Sequence, residues 1–243
     1  MKDKTLRLLI CIAVIFYGCS SPQQDSTSEE TTPQESTVEN TETDTQGWTY
    51  LFDGNEISGW HNYLKDGVEG WYVQDGMLIT DGGNGDIVTD KEYGNFELEF
   101  EYSISPEGNS GVFYKIIEDE KYNVTYVTGP EYQIIDDENY PAELKPAQHT
   151  AANYDLHVPE NINPNPPGSF NKAKIVVNEG NVEHWLNGDL IVSYKVGSED
   201  WQQRVDNSKF AEMEGYAKAE KGRIGLQDHG DKVMFKSIRI KEL

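Results

Sequence analysis

The sequence predicts an all-β fold, an antiparallel β-sandwich of jelly-roll type with one short helix. Residues 96–104, FELEFEYSI, alternate strictly between apolar and acidic or polar side chains, which is typical of a strand with one face in a core. The dipeptides Asp75-Gly76 and Asn187-Gly188 each divide two apolar runs, and such dipeptides favour type I′ hairpin turns. Only residues 198–210 have a helical pattern. Many short strands with one late helix indicate a sandwich.

The N-terminal segment, residues 1–19, has the features of an export signal. Three basic residues precede the apolar run 8–17, which has the length of a signal-peptide core and is too short to span a bilayer comfortably. Cys19 follows in FYGCSS, which resembles the lipidation motif of bacterial lipoproteins. We therefore expect lipidation at Cys19 and an exported protein, lipid-anchored to the bacterial membrane and periplasmic or on the cell surface. An ordinary cleaved signal or a short membrane anchor is the alternative.

Residues 20–46 are rich in Ser, Thr, Glu, Gln and Pro and contain almost no apolar side chains. Such a segment cannot bury enough surface to offset its ordering entropy, so it is predicted to be a disordered acidic tether. The folded domain is predicted at 47–243, which contains no cysteine and therefore no disulfide, thiol nucleophile or thiolate metal site. The formal net charge of −23 argues against nucleic acid as a partner, because phosphates would be repelled.

The other predicted elements follow in chain order. WYVQDGMLIT, residues 71–80, is a hairpin, and GPEYQIIDD places Glu131 and Gln133 on one strand face and Tyr132 on the other. VEHWLNGDLIVSY is a second hairpin, and MFKSIRIKEL closes the chain as an alternating strand. Ser198 is the predicted N-cap of the helix, followed by two acidic residues in its first turn.

Several of these segments together resemble a known family. LFDGNEISGW, WYVQDGMLIT, KEYGNFELEFEYSISPEGNSGVFYK, YQIIDD, HWLNG and KGRIGLQDHGDKVMFKSIRI are similar, in this order, to successive motifs of the 3-keto-disaccharide hydrolase family. The resemblance runs from about Trp48 to Leu243. It implies a concanavalin-A-like sandwich whose concave sheet binds sugar, with 3-keto-glucoside lyase and hydratase activity.

The chemistry of such a substrate indicates which side chains to seek. A ketone at C3 acidifies the hydrogen on C2, so a base can remove it to form an enolate that expels the C1 substituent. Hydration of the product then gives net hydrolysis. The reaction needs a general base, a cation or donor at the enolate oxygen, and an acid for the leaving group. It does not need the paired carboxylates of ordinary glycosidases.

Four residues are predicted to be catalytic. His184 shares a strand face with Val182 and Leu186, where the alternative is a half-buried structural residue. His149 lies in the polar loop KPAQHTAANYD, and loops on a rigid scaffold commonly carry function. Glu131 is the acidic alternative for the base, and Lys115 is the predicted electrophile toward the enolate oxygen.

A second set of side chains is predicted to bind the sugar. Gln133 lies beside Glu131 on one strand face, where the alternative is a solvated face. The turn between the last strands is expected to line or support the site, with turn chemistry alone as the alternative. The predicted binding residues are Asn109, Gln133, Tyr154, Gln227, Asp228 and His229.

Two other functions remain open at this point. A non-catalytic glycan-binding lipoprotein would use the same sheet as a lectin, and a general glycosidase would need two carboxylates converging on one bond. Glu131 and Asp136, the nearby pair, have opposite strand parity, which argues against a general glycosidase. The expected partner is an oligosaccharide or glycoside, with membrane contact through the lipid anchor only. The sequence requires no cofactor and identifies no metal ligands, although a divalent cation is compatible with it.

Overall fold

The computed structural model describes residues 43–243, and the predicted signal, Cys19 and most of the predicted tether lie outside this range. Within it the chain forms thirteen strands, one α-helix and three 3₁₀ helices. The strands are β1 (Thr49–Phe52), β2 (Trp60–Asn62), β3 (Trp71–Gln74), β4 (Met77–Thr80), β5 (Ile87–Thr89), β6 (Phe96–Ile104), β7 (Asn109–Ile116), β8 (Glu131–Ile135), β9 (Asn171–Asn178), β10 (Asn181–Leu186), β11 (Asp189–Lys195), β12 (Arg223–Leu226) and β13 (Val233–Glu242). The helix α1 spans Glu199–Asp206, and the 3₁₀ helices span Thr125–Val127, Pro146–Gln148 and Lys209–Glu212.

The strands form two antiparallel sheets, which confirms the predicted fold class. The eight-stranded sheet has the order β11-β10-β9-β6-β13-β4-β3, with β1 also paired to β13. The five-stranded sheet has the order β2-β5-β12-β7-β8. The core lies between the sheets, where the Phe100 ring of β6 meets the Tyr132 ring of β8 edge-on at 5.7 Å between centroids. One face of each sheet therefore points into the core and the other points outward.

Local sequence signals account for the hairpins and the helix. Asp75 and Asn187 adopt positive φ angles of 52° and 51° at the tips of the β3–β4 and β10–β11 hairpins, as the Asp-Gly and Asn-Gly dipeptides predict. The Ser198 hydroxyl accepts a hydrogen bond from the Trp201 N–H and caps α1 as predicted.

The acidic face of β6 lies on the outside of the eight-stranded sheet. Glu99 forms an ion pair with Arg239 at 2.6 Å, and Glu101 pairs with Lys236 at 3.1 Å, both across to β13. These carboxylates are thus balanced by cations on the neighbouring strand.

In residues 43–243, no helix is long and apolar enough to cross a membrane.

Candidate functional site

The candidate site lies on the outer face of the five-stranded sheet. Strand register aligns one side chain position from each strand across this face. The row consists of His61, Val88, Gly225, Phe113 and Glu131. Because Tyr132 and Ile134 of β8 point into the core, Glu131 and Gln133 point outward. Glu131 therefore lies on the edge strand, about 19 Å from His61 at the usual spacing of four neighbouring strands.

The loop of residues 117–130, which joins β7 to β8, crosses the middle of this outer face. It leaves the β8 end of the face as a separate environment. The Tyr63 hydroxyl donates to the carbonyl of Tyr122 at 2.7 Å, and the Thr125 hydroxyl donates to the Asp86 carboxylate. Val88 and Phe113 beneath the loop are fully buried. The loop continues to Tyr126, whose ring is 41% exposed.

Glu131 has a strongly perturbed carboxyl group at this end of the sheet. Its side chain is only 7% exposed, and burial raises its pKa to about 8. The positive charge of Lys209 opposes this rise, whereas the negative charges of Asp86 and Asp155 add to it. A side chain at Gly111, opposite β8, would place its Cβ 2.5 Å from Glu131 Oε1, so glycine at this position makes room for the carboxyl group. Glu131 can thus exchange a proton near neutral pH.

Three amide side chains offer hydrogen-bond acceptors beside Glu131. Gln133 pairs in register with Gly111, and the Gln227 N–H donates to the Gly111 carbonyl at 2.9 Å. Gln133, Gly111 and Gln227 therefore form a second row across the sheet. The side-chain oxygens of Gln133, Gln227 and Asn109 are buried and find no hydrogen-bond partner among the described residues. Buried acceptors without partners are costly, which indicates a place for ligand hydroxyl groups.

His184 lies in the core between the sheets rather than on the outer face. It is fully buried, and its Nδ1 contacts the Ala151 carbonyl at 2.9 Å. Its Nε2 lies 2.9 Å from the Tyr114 hydroxyl, which in turn contacts the Tyr194 hydroxyl. Burial lowers the pKa of His184 to about 4, so the ring is neutral, donates from Nδ1 and accepts from Tyr114. This position does not bring His184 together with Glu131, and it favours the structural alternative over a base.

His149 lies on the loop beside β8 but at the far end of that strand. The Thr150 hydroxyl donates to the Ile135 carbonyl at 2.8 Å, which places His149 near the last residue of β8. Four residues of a strand separate this point from Glu131, or about 13 Å. His149 Nδ1 contacts Asp137 at 3.0 Å, and its side chain is 32% exposed. An imidazole oriented by a carboxylate can act as a base, so His149 remains a second candidate, although not for the same atom as Glu131.

Lys115 is directed away from Glu131 by the local backbone. It adopts a φ of 58° where the pairing of β7 with β12 shifts register, and its ammonium donates to the Glu220 carbonyl. The cation that acts on Glu131 is instead Lys209, in the 3₁₀ helix after α1. The sequence analysis assigned no role to Lys209, Asp86 or Asp155, since none of them belongs to the quoted strand motifs.

The predicted binding residues of the last turn divide into two roles. The Asp228 carboxylate accepts backbone N–H bonds from Gly83, Asn84 and Gly85 at 2.7 to 3.1 Å, and so fixes that loop. Burial favours a higher pKa for Asp228, but these bonds hold it below its usual value. His229 is exposed and lies near enough to Asp86 to act on the pKa of its carboxyl group. Gln227 is the member of this turn with an unpaired buried acceptor.

Tyr154 and the acids of the 136–155 region complete the surroundings. The Tyr154 N–H donates to the Glu131 carbonyl at 3.1 Å, and its hydroxyl accepts from Gln148 at 3.2 Å. The Asp136 carboxylate accepts a hydrogen bond from the Glu107 N–H at 2.9 Å, so it stabilises the turn before β7.

No group of three or more His, Cys, Asp or Glu side chains in residues 43–243 has the geometry to hold a metal ion.

Comparisons with known proteins identify the family of the chain. A family model described as the 3-keto-alpha-glucoside-1,2-lyase-like domain matches residues 47–241. The chain is 32% identical to the 3-keto-disaccharide hydrolase of Bacteroides thetaiotaomicron, over 100% of both chains. A crystal structure of a candidate glycosyl hydrolase from Parabacteroides distasonis is 41% identical, with a TM-score of 0.79 over 82% of this chain and 94% of its own. A second such structure from that organism is 26% identical, with a TM-score of 0.63 over 81% and 99%.

Proposed function

Because the chain belongs to the family of 3-keto-alpha-glucoside-1,2-lyase-like domains, we propose that it cleaves 3-keto-glycosides, 3-keto-disaccharides among them, with Glu131 as the general base. The names of its relatives support a carbohydrate-active enzyme of the hydrolase type. The proposed route is elimination across C1 and C2, followed by hydration. Lipid anchoring through Cys19 belongs to the same proposal.

The proposed reaction balances with one base and one water molecule. The ionised Glu131 removes the C2 proton, the C2–H electron pair forms a C2–C3 double bond, and the carbonyl electrons move onto the C3 oxygen. When the C3 carbonyl re-forms, the electron pair moves to C1–C2 and the C1–O bond breaks. The leaving alcohol takes the proton that Glu131 holds. Addition of water, with OH at C1 and H at C2, then gives the free 3-keto sugar.

The observation that carries this proposal is the burial of Glu131 and its pKa of about 8. A carboxylate whose conjugate acid has the usual pKa near 4.3 is a weak base toward a proton on carbon. A carboxyl group with a pKa near the working pH combines a substantial ionised fraction with greater basicity. The same group, once protonated, can serve as the acid for the leaving alcohol.

The unpaired amide oxygens support the binding half of the proposal. Gln133 and Gln227 flank Gly111, and the Glu131 carboxyl group occupies the space over that glycine, so both amide acceptors lie next to the proposed base. Their acceptors suit sugar hydroxyls, which donate hydrogen bonds. Asn109 adds a third acceptor at the start of β7.

The test is cleavage of a 3-keto-disaccharide compared with its unoxidised parent by wild type, Glu131→Gln and Glu138→Gln. Glu138 is an exposed acid a few residues along the chain and serves as the matched control. We expect the wild type and the control to release the aglycone from the keto sugar only, and Glu131→Gln to lose roughly a hundredfold to ten-thousandfold in turnover.

Other outcomes would contradict particular parts of the proposal. Equal cleavage of the parent sugar would mean glycosidase chemistry rather than elimination. Binding of both sugars without cleavage would identify the lectin alternative. Full activity in Glu131→Gln together with loss in His149→Gln would move the base to His149.

A further inference from the structure

We propose that Lys209, held among three aromatic rings, supplies the positive charge that stabilises the enolate oxygen during this reaction. The inference rests on the proposed function and adds the electrophilic half of its catalytic machinery. Lys115, the cation predicted from sequence for this role, is engaged by the Glu220 carbonyl instead.

The first observation is the cage around the Lys209 ammonium. Its Nζ lies 4.3 Å from the ring centroid of Tyr154, 5.1 Å from that of Phe210 and 5.7 Å from that of Tyr126. The three rings come from different segments of the chain: the loop after β8, the 3₁₀ helix itself, and the loop that crosses the sheet. Aromatic faces attract a cation without neutralising its charge, so they position the ammonium and leave it able to act on a ligand.

The second observation is that Lys209 forms only a long ion pair with one carboxylate among the described residues. The nearest acidic partner is Asp155, whose Oδ2 is 3.7 Å from Lys209 Nζ, too far for a short charge-assisted hydrogen bond. The other oxygen of Asp155 accepts from the Gln148 amide at 2.9 Å. Lys209 itself is 43% exposed, so its ammonium can turn toward a bound molecule.

The third observation places the cage beside Glu131. Tyr154 donates its backbone N–H to the Glu131 carbonyl at 3.1 Å, and the ring of the same tyrosine contacts Lys209. The charge of Lys209 is felt at the Glu131 carboxyl group, where it lowers a pKa that burial raises. The other charged groups acting on Glu131 are Asp86, which immediately precedes β5, and Asp155, both acidic. Lys209 is thus the cation at this end of the outer face.

The chemistry gives this cation a specific use. When Glu131 removes the C2 proton, negative charge develops on the C3 oxygen while the protonated carboxyl group becomes neutral. A nearby ammonium stabilises that oxyanion more strongly than it stabilises the neutral ketone, so its contribution appears in the transition state. The electrons return to C1–C2 in the next step, and Lys209 retains its proton throughout.

The test compares Lys209→Met and Lys209→Arg with Lys218→Met. Lys218 is exposed in the same segment, and its removal changes the net charge equally. We expect Lys209→Met to lower kcat by roughly a hundredfold to a thousandfold with KM within a few fold of wild type. Lys209→Arg should recover part of this loss, and Lys218→Met should match wild type. The rising limb of the pH profile, set by Glu131, should move to higher pH in Lys209→Met only.

A second substrate separates this inference from the proposed function. A 1-deoxy-3-keto sugar has the acidic C2 hydrogen but no leaving group, so it reports proton removal alone through exchange in deuterated water. Wild type that neither cleaves nor exchanges would overturn the proposed function. If wild type and Lys209→Met exchange the C2 proton equally fast, the role of Lys209 is overturned and the proposed function stands. A change confined to KM would also overturn it, because such a change indicates ground-state binding.

Discussion

The free energy of unfolding of Glu131→Gln, compared with that of wild type, should increase as the pH rises. In the folded protein Glu131 keeps its proton until the pH approaches about 8, whereas in the unfolded chain it ionises near its model value of 4.5. Its raised pKa contributes stability that is fully present below 4.5 and is lost as the pH rises through 8. Glutamine has the same shape and no charge to expose, so the variant avoids that loss.

The size of the effect follows from linkage. Each pH unit between the two pKa values removes about 1.4 kcal/mol from the free energy of unfolding of the wild type. From pH 5 to pH 8 the difference between variant and wild type should therefore shift by about 3 to 4 kcal/mol in favour of Glu131→Gln. Titrating groups that do not interact with Glu131 act on both proteins alike and cancel in this difference.

Urea unfolding followed by tryptophan fluorescence at pH 5, 6, 7 and 8 would measure it. Glu138→Gln is the control, because Glu138 is exposed and its loss should leave the pH dependence parallel to that of wild type. Parallel curves for Glu131→Gln as well would show that Glu131 ionises normally in the folded protein. That result would refute the reasoning that makes Glu131 a base of unusual strength.

Two further predictions concern His184 and Cys19. His184→Gln should lower the free energy of unfolding by about 1 to 3 kcal/mol, because buried partners at Tyr114 and Ala151 lose their hydrogen bonds, while kcat of the folded variant stays within a few fold of wild type. A hundredfold loss of kcat with an unchanged circular dichroism spectrum would restore His184 as the base. Cys19→Ser should abolish labelling by a radioactive fatty acid and release the protein from membranes, and persistent membrane association would indicate an uncleaved anchor instead.

Much of the fold could be predicted because its signals are local. The alternation of residues 96–104 follows from the pleat of a strand, and Asp75-Gly76 can adopt the positive φ angles of a tight hairpin wherever it lies. The motifs in their order identified the family, which the family model confirms over residues 47–241. The outward parity of Glu131 and Gln133 was also readable, since successive strand residues point to opposite faces.

The roles of single residues were less predictable. Parity placed His184 with Val182 and Leu186, but a residue on such a face could border a site as well as fill a core. The structure puts all three in the core, where the histidine is neutral. Lys115 belongs to a recognisable motif, yet a register shift turns it toward Glu220.

Local patterns along the chain were enough to predict two hairpins, the alternating strands and which side chains share a strand face, because these features depend on neighbours in sequence. Which carboxyl group is buried, and which cation acts on it, is set by the assembled fold. Glu131 and Lys209 are far apart in sequence. They are brought together because the 3₁₀ helix Lys209–Glu212 packs against Tyr154 and Tyr126. Burial and electrostatic interaction depend on distance in space, and that distance exists only once the sheets and their covering loops have assembled.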